Sequence, residues 1–200
     1  TSIILARNVN ANSVGMYTLL LSIALIIIGL QRVFILVPFN IYYPKMKEVT
    51  EKKYYAAKTM GFETYFNIRI IVLVFSKLTG IIDIKLNISS SVIFMIGYLL
   101  KDYTRQFLFG INKISTSLVM GILQSLIQIA LFIILGNLNI FTINNCLIII
   151  GVTNWNNIYI ISNLNTTISI KFNDLVEVWN KNKDIAKWSV GISLSDSVKN

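Results

Sequence analysis

The chain has no histidine, one cysteine and two prolines, and only 14% of its 200 residues are charged. Each scarcity removes a class of chemistry. Without histidine there is no Ser-His-Asp or Cys-His centre and no imidazole-ligated metal. The single cysteine, Cys146, forms neither an internal disulfide nor a thiolate cluster, and its apolar surroundings make it a small buried hydrophobe. No Walker-type phosphate loop is present, so no ATP site of that kind is visible. A soluble domain carries about 25% charged residues to cover its surface, and this chain falls well short. Residues of the set AVILMFWYC make up 54%, and the mean hydropathy is +0.66. These values exclude disorder and predict an all-α polytopic membrane protein.

Five complete spans are expected. The first is Val14 to about Phe39, uncharged from Val14 to Leu30 and close to the ~20 residues that cross a bilayer. Pro38 removes a backbone donor and is expected to kink its last turn. Span two is weaker, about Phe62 to Gly80, because Glu63, Asn67, Arg69 and Lys77 interrupt it. Span three runs from about Ile88 to Phe109 and ends on Lys101, Asp102 and Arg105. Span four, about Thr116 to Leu135, is uncharged. Span five is about Ile140 to Ile161. Thr1–Ala6 reads as the remnant of a truncated first helix. Residues 1–162 then form an N-terminal transmembrane bundle. Residues 163–200 form a cytoplasmic amphipathic linker, with Leu175, Val178, Trp179, Ile185 and Ala186 on one face. Gly191 and Ser193 read as the opening of a further span.

The charge that is present is lopsided, at 18 Lys/Arg against 9 Asp/Glu. Segments 42–61, 101–113 and 163–200 hold thirteen of the cations, the opposite loops hold Arg7, Lys77 and Lys85, and Arg32 and Arg69 lie inside spans. The positive-inside rule places the 42–61 loop and the tail in the cytoplasm. In a membrane protein this excess marks cytoplasmic loops rather than nucleic-acid binding.

Six residues are candidates for binding. Arg32 and Arg69 sit in apolar segments, where a cation costs ~2.5–3.5 kcal/mol on insertion scales. They either snorkel to the headgroups or line a water-filled cavity, where a guanidinium suits phosphate. Asp102 and Arg105 are three apart on a helix and can pair. They end a helix in solvent or line the mouth of a substrate pathway. Gln124 and Gln128 share a helix face with Ser117 and Gly121, a stripe that must face protein rather than lipid. No catalytic residue, metal or cofactor is indicated.

Four segments together resemble the N-terminal half of a Wzx-type polysaccharide flippase, in the wider MATE-like (MOP) transporter superfamily. They are SVGMYTLLLSIA (Ser13–Ala24), YLLKDYTRQFLFGINK (Tyr98–Lys113), SLVMGILQSLIQIALFIIL (Ser117–Leu135) and IAKWSVGISLSDSVKN (Ile185–Asn200). The resemblance implies one lobe, about six helices, of a two-lobed bundle in the cytoplasmic membrane. It also implies translocation of a lipid-linked oligosaccharide, anionic at its pyrophosphate, by alternating access. The expected partners are that lipid-linked substrate, membrane lipids and polysaccharide polymerase machinery. Arg32 and Arg69 fit the head group such a family carries. A MATE-like drug or ion antiporter shares the fold and would show an acidic residue in the middle of a span, and none is apparent. A membrane-embedded glycan polymerase or ligase is the enzymatic alternative; it needs a large outer loop, and the outer loops are short.

Overall fold

The computed structural model describes residues 2–78, 87–162 and 172–199, with the side chains of residues 4–76, 87–154 and 173–189. Among the described residues there is no strand. The helices in chain order are α1 (Ser2–Asn8), α2 (Ala11–Gln31), α3 (Val37–Tyr42), α4 (Val49–Leu78), α5 (Ile88–Gly110), α6 (Ile114–Asn137), α7 (Ile143–Ser162) and α8 (Phe172–Lys199). A π-helical turn, Arg32–Leu36, joins α2 to α3, and a 3-10 turn, Tyr43–Lys45, follows α3. The expectations for Lys77 and Lys85, for residues 163–171, and for Gly191 and Ser193 as the start of a span concern positions outside the described residues or side chains.

Local sequence explains the element ends. Asn10 caps α2 by accepting from the Ser13 amide at 2.9 Å, and Asn87 caps α5 by accepting from the Ser89 amide at 3.1 Å. α5 and α6 each close on an asparagine in the left-handed region, Asn112 (φ 60°) and Asn139 (φ 54°). The next amides, Lys113 and Ile140, reach back to the Leu108 and Leu135 carbonyls at 2.8 and 3.2 Å, which satisfies groups that a helix end leaves open.

Pro38 accounts for the π turn. In a regular helix its nitrogen would receive the Phe34 carbonyl, but it has no proton to donate, and its ring crowds that carbonyl. Widening to π register relieves the crowding: the Val37 amide donates to the Arg32 carbonyl, five residues back. The Phe34 carbonyl instead accepts from Asn182 Nδ2 of α8 at 3.3 Å.

Two apolar cores form, one at each end of the bundle. One gathers Tyr17, Leu20, Ala24, Ile27 and Ile28 of α2 with Phe94, Met95 and Leu99 of α5, Phe132 and Leu135 of α6, and Cys146, Leu147 and Ile150 of α7. The other gathers Ile35, Leu36 and Phe39 with Tyr55, Met60 and Phe62 of α4, Tyr103 and Phe107 of α5, and Leu175 and Val178 of α8. α2 and α5 pass from one core to the other, at Gln31–Arg32 and at Lys101–Asp102. α4 makes the same passage between Phe62 and Ile71. Polar residues of three helices therefore meet at one level.

α5 and α7 are the most extensively packed pair. The pairing works because Gly97 and Gly151 face each other: a Cβ added to Gly97 would stand 2.2 Å from the Gly151 carbonyl oxygen. Small residues at such crossings, with side-chain hydrogen bonds between helices, characterise packing in a membrane. Ser90 Oγ donates to Asn144 Oδ1 at 3.1 Å across the same pair.

Among the described residues two helices, Ala11–Lys45 and Ile114–Asn137, are long and apolar enough to cross a bilayer, and Ile143–Asn154 is a shorter apolar helix. The first two coincide with expected spans one and four, and the shorter one lies within expected span five without reaching spanning length. The outer face of α6, including Leu118, Ile122, Leu126 and Ile133, is exposed. Residues 45–58 read as a loop whose periodicity also allows a short surface helix, and they are helical from Val49, where α4 starts and runs on without a break. Ala56, Ala57 and Met60 supply a buried face that holds this polar stretch as helix.

Of the face expected on α8, Leu175, Val178 and Ala186 are buried and Ile185 is half-buried, but Trp179 is exposed, as is Trp188. The contact of α8 with α4 is also electrostatic. Lys58 is 2% exposed, and its Nζ lies 3.1 Å from Asp174 Oδ1, hydrogen-bonds Glu177, and stands 4.0 Å over the Tyr54 ring. Burial disfavours its charge, but the bonds to Glu177, Tyr54 and Asp174 outweigh that and hold Lys58 above the ordinary lysine range.

Candidate functional site

The level between the two cores carries most of the candidate residues. Asp102 stands at its centre, its side chain 12% exposed. Arg105, one turn along α5, donates to Asp102 Oδ1 at 2.7 Å. Arg32, at the start of the π turn, approaches Asp102 Oδ2 from α2 at 3.7 Å. Each guanidinium side chain is 50% exposed. One carboxylate thus aligns two arginines from different helices without consuming them. Lys101, next in sequence to Asp102, is partly buried. Three cations against one carboxylate leave an anion-attracting cluster in which two guanidinium forks can engage a phosphate.

Gln124 extends the cluster toward α6. Its Nε2 is buried with no hydrogen-bond partner among the described residues. It lines a cavity of about 30 Å³ with Lys101, Thr104, Arg105, Ser117 and Gly121. That is room for about one water. Gln128, one turn on, donates to Thr153 Oγ1 of α7 at 2.9 Å, a bond between helices. Ser117, Gln124 and Gln128 therefore face protein, with the two glutamines in different roles, while Gly121, expected on the same stripe, is exposed. Arg69 lies apart from the cluster, exposed on α4 and 5.0 Å over the Tyr65 ring.

Sequence reasoning missed a second group at the same level. Gln31 is fully buried, Glu63 is 1% exposed and Asn67 is 6% exposed. Gln31 Nε2 donates to Glu63 Oε1 and, at 2.8 Å, to Asn67 Oδ1. Asn67 Nδ2 donates to Glu63 Oε1 at 2.6 Å. The sequence shows Glu63 only as an interruption of a weak span. In the structure it is a buried acid near the middle of α4, where no mid-span acid was expected. The available signal was Glu63 and Asn67 at i and i+4 in an otherwise apolar stretch, with Gln31 directly before Arg32.

No group of three or more His, Cys, Asp or Glu that could hold a metal ion occurs among the described residues. No protein-family model, curated protein or solved structure matches the chain. The likeness to Wzx-type flippases thus stands on the four sequence segments alone.

Proposed function

We propose that this chain is part of a multi-pass transporter of the cytoplasmic membrane that moves a lipid-linked anionic oligosaccharide from the inner to the outer leaflet. One observation carries the reading. Arg32 and Arg105 come from two helices, are aligned by one nearly buried carboxylate, and remain half exposed. Such a pair suits a pyrophosphate, which offers two tetrahedral anionic groups to two forks. The apolar outer faces of α2 and α6 suit lipid. The lysine-rich start of α4 and the tail then face the cytoplasm, where the substrate is loaded.

The reading is tested by glycan export in a flippase-deleted cell expressing matched amounts of each full-length variant. Removing one charge-assisted contact costs ~1.5–3 kcal/mol, about ten- to a hundredfold in affinity. Arg32→Gln and Arg105→Gln lower export on that scale, and the lysine variants keep part of it. Arg69→Gln leaves export near wild type, because its guanidinium is spread over Tyr65 away from the cluster. Wild-type export by both the Arg32 and Arg105 glutamine variants overturns the assignment. A MATE-like ion-coupled antiporter is the second reading, and the buried Glu63 in mid-helix favours it.

A further inference from the structure

The chain between α3 and α4 folds so that its lysines are presented together. Tyr43–Lys45 is a 3-10 turn, and Met46 after it is extended (φ −70°, ψ 136°). Met46 is buried in the core that gathers Phe39 and Tyr55. In extended backbone neighbouring side chains point away from one another, so the buried Met46 turns Lys45 and Lys47 outward, and both are exposed. α8 brings a third lysine to the same place. Lys181 Nζ stands 4.6 Å over the Tyr55 ring and 5.1 Å over that of Tyr42. Tyr55 is buried, and its hydroxyl donates to Asn182 Oδ1 at 3.2 Å. Two ring faces thus position an ammonium that keeps its N–H donors.

The three lysines line a groove of about 450 Å³, within the ~300–1,000 Å³ range of small-molecule sites. Glu48 and Glu51 line it as well. None of these five charges has an ion-pair partner among the described residues, although both signs are present. A ligand that answers this lining carries both charges. A purely anionic headgroup meets the lysines but is repelled by the glutamates. A quaternary ammonium has the right charge but no N–H to give a carboxylate. Phosphoethanolamine supplies phosphate acceptors for lysine and a primary ammonium, with three donors, for glutamate. The level of the groove indicates a lipid. Tyr42 and Lys45 stand at the end of Ala11–Lys45, a helix of spanning length, where aromatic side chains meet headgroups.

We propose that this groove binds one phosphatidylethanolamine by its headgroup, the phosphate on Lys45, Lys47 and Lys181 and the ammonium on Glu48 and Glu51. The lipid then bridges the α3–α4 turn to α8. The site shares no residue with the Arg32–Asp102–Arg105 cluster. It rests on the placement of the chain in a membrane and not on the transport of a glycan.

The full chain is melted in phosphatidylcholine nanodiscs in which a fixed fraction of lipid is replaced by phosphatidylethanolamine or by phosphatidylglycerol. Both leaflets are open in a nanodisc, so orientation does not enter. At ten times the effective Kd, phosphatidylethanolamine raises the unfolding midpoint by about 3–6 °C over phosphatidylcholine alone. Phosphatidylglycerol raises it by less than half as much. Glu48→Gln with Glu51→Gln removes the advantage of phosphatidylethanolamine over phosphatidylglycerol. Lys45→Gln with Lys47→Gln removes most of the gain from either lipid. All four residues are exposed, so these variants fold as wild type does. A general effect of the lipid on the bilayer would be shared by wild type and variants alike. Equal wild-type midpoints in phosphatidylethanolamine and phosphatidylcholine overturn the site, as do an equal gain from phosphatidylglycerol and variants that gain as wild type does. The same gain from soluble phosphoethanolamine overturns the lipid as occupant. Each outcome stands whatever the arginine variants do in glycan export.

Discussion

Gly97→Ala is the sharpest probe of how this bundle is held together. The added Cβ would stand 2.2 Å from the Gly151 carbonyl oxygen and 2.7 Å from its Cα. Ordinary contact begins at 3.4 Å, so α5 and α7 must separate by at least about 1.2 Å at the crossing, 3.4 minus 2.2. Both obstacles are backbone, and no rotamer change relieves them. Overpacking costs ~1–3 kcal/mol and occasionally more. Alanine returns up to ~1 kcal/mol of helix propensity. The net loss is about 1–2 kcal/mol, a fall of roughly 2–8 °C in unfolding midpoint at this size. Gly151→Ala meets the Ile93 carbonyl oxygen at 2.5 Å and behaves alike. Because both changes force the same separation, the double variant loses less than the sum of the singles. Gly29→Ala and Gly121→Ala are the controls: nothing lies within 4 Å of either added Cβ. They leave stability unchanged or raise it by up to ~1 kcal/mol. Thermal unfolding of the purified chain in nanodiscs reads all five. Equal midpoints for Gly97→Ala and Gly121→Ala would refute the packing argument.

Three further outcomes are expected. Asn182→Leu removes the donor to the Phe34 carbonyl and the acceptor for the Tyr55 hydroxyl at 3.2 Å, costing ~1–3 kcal/mol; proteolysis at the α8 end then runs faster than in wild type. Lys58 is held above its ordinary value, so its contribution is fully present below the unfolded lysine pKa and is lost as pH rises through the higher folded one. The α4–α8 contact is therefore constant across neutral pH and loosens only in strong alkali, and Lys58→Met removes that alkaline step in a pH series of unfolding. If α4 and α8 lie on the cytoplasmic side as the proposed orientation has them, an impermeant reagent applied outside intact cells labels cysteines at neither Lys52 nor Asn180; because Lys58 ties the two helices together, labelling of one without the other would contradict the α4–α8 contact.

Much of the fold is legible in composition and spacing. The apolar runs of α2 and α6, the i, i+3 pair Asp102–Arg105 and the inward stripe of α6 need only one helix each to be read. What the sequence hides depends on three helices at once. Arg32 and Asp102 are seventy positions apart, and nothing local announces that α2 and α5 bring them level. The same holds for Gln31 and Glu63, whose pairing exists only because two apolar cores stop at the same height. The start of α4 was obscured for a different reason. Its lysines dominate the composition, while Ala56, Ala57 and Met60, the residues that bury it, are few and small.

The π turn has a consequence in angular register. Each helical residue advances the chain about 100° around its axis, so Gln31 and Phe39, eight steps apart, would point about 80° apart on an uninterrupted helix. The π turn absorbs one residue, leaving about seven effective steps and an offset of about 20°. Both side chains are fully buried, one in the polar level and one in the stack with Phe107 at 4.9 Å. Chain length across this turn is thus itself a determinant of the fold. A one-residue insertion anywhere between Gln31 and Phe39 would turn the Phe39 ring away from Phe107 without altering a single hydrophobic residue.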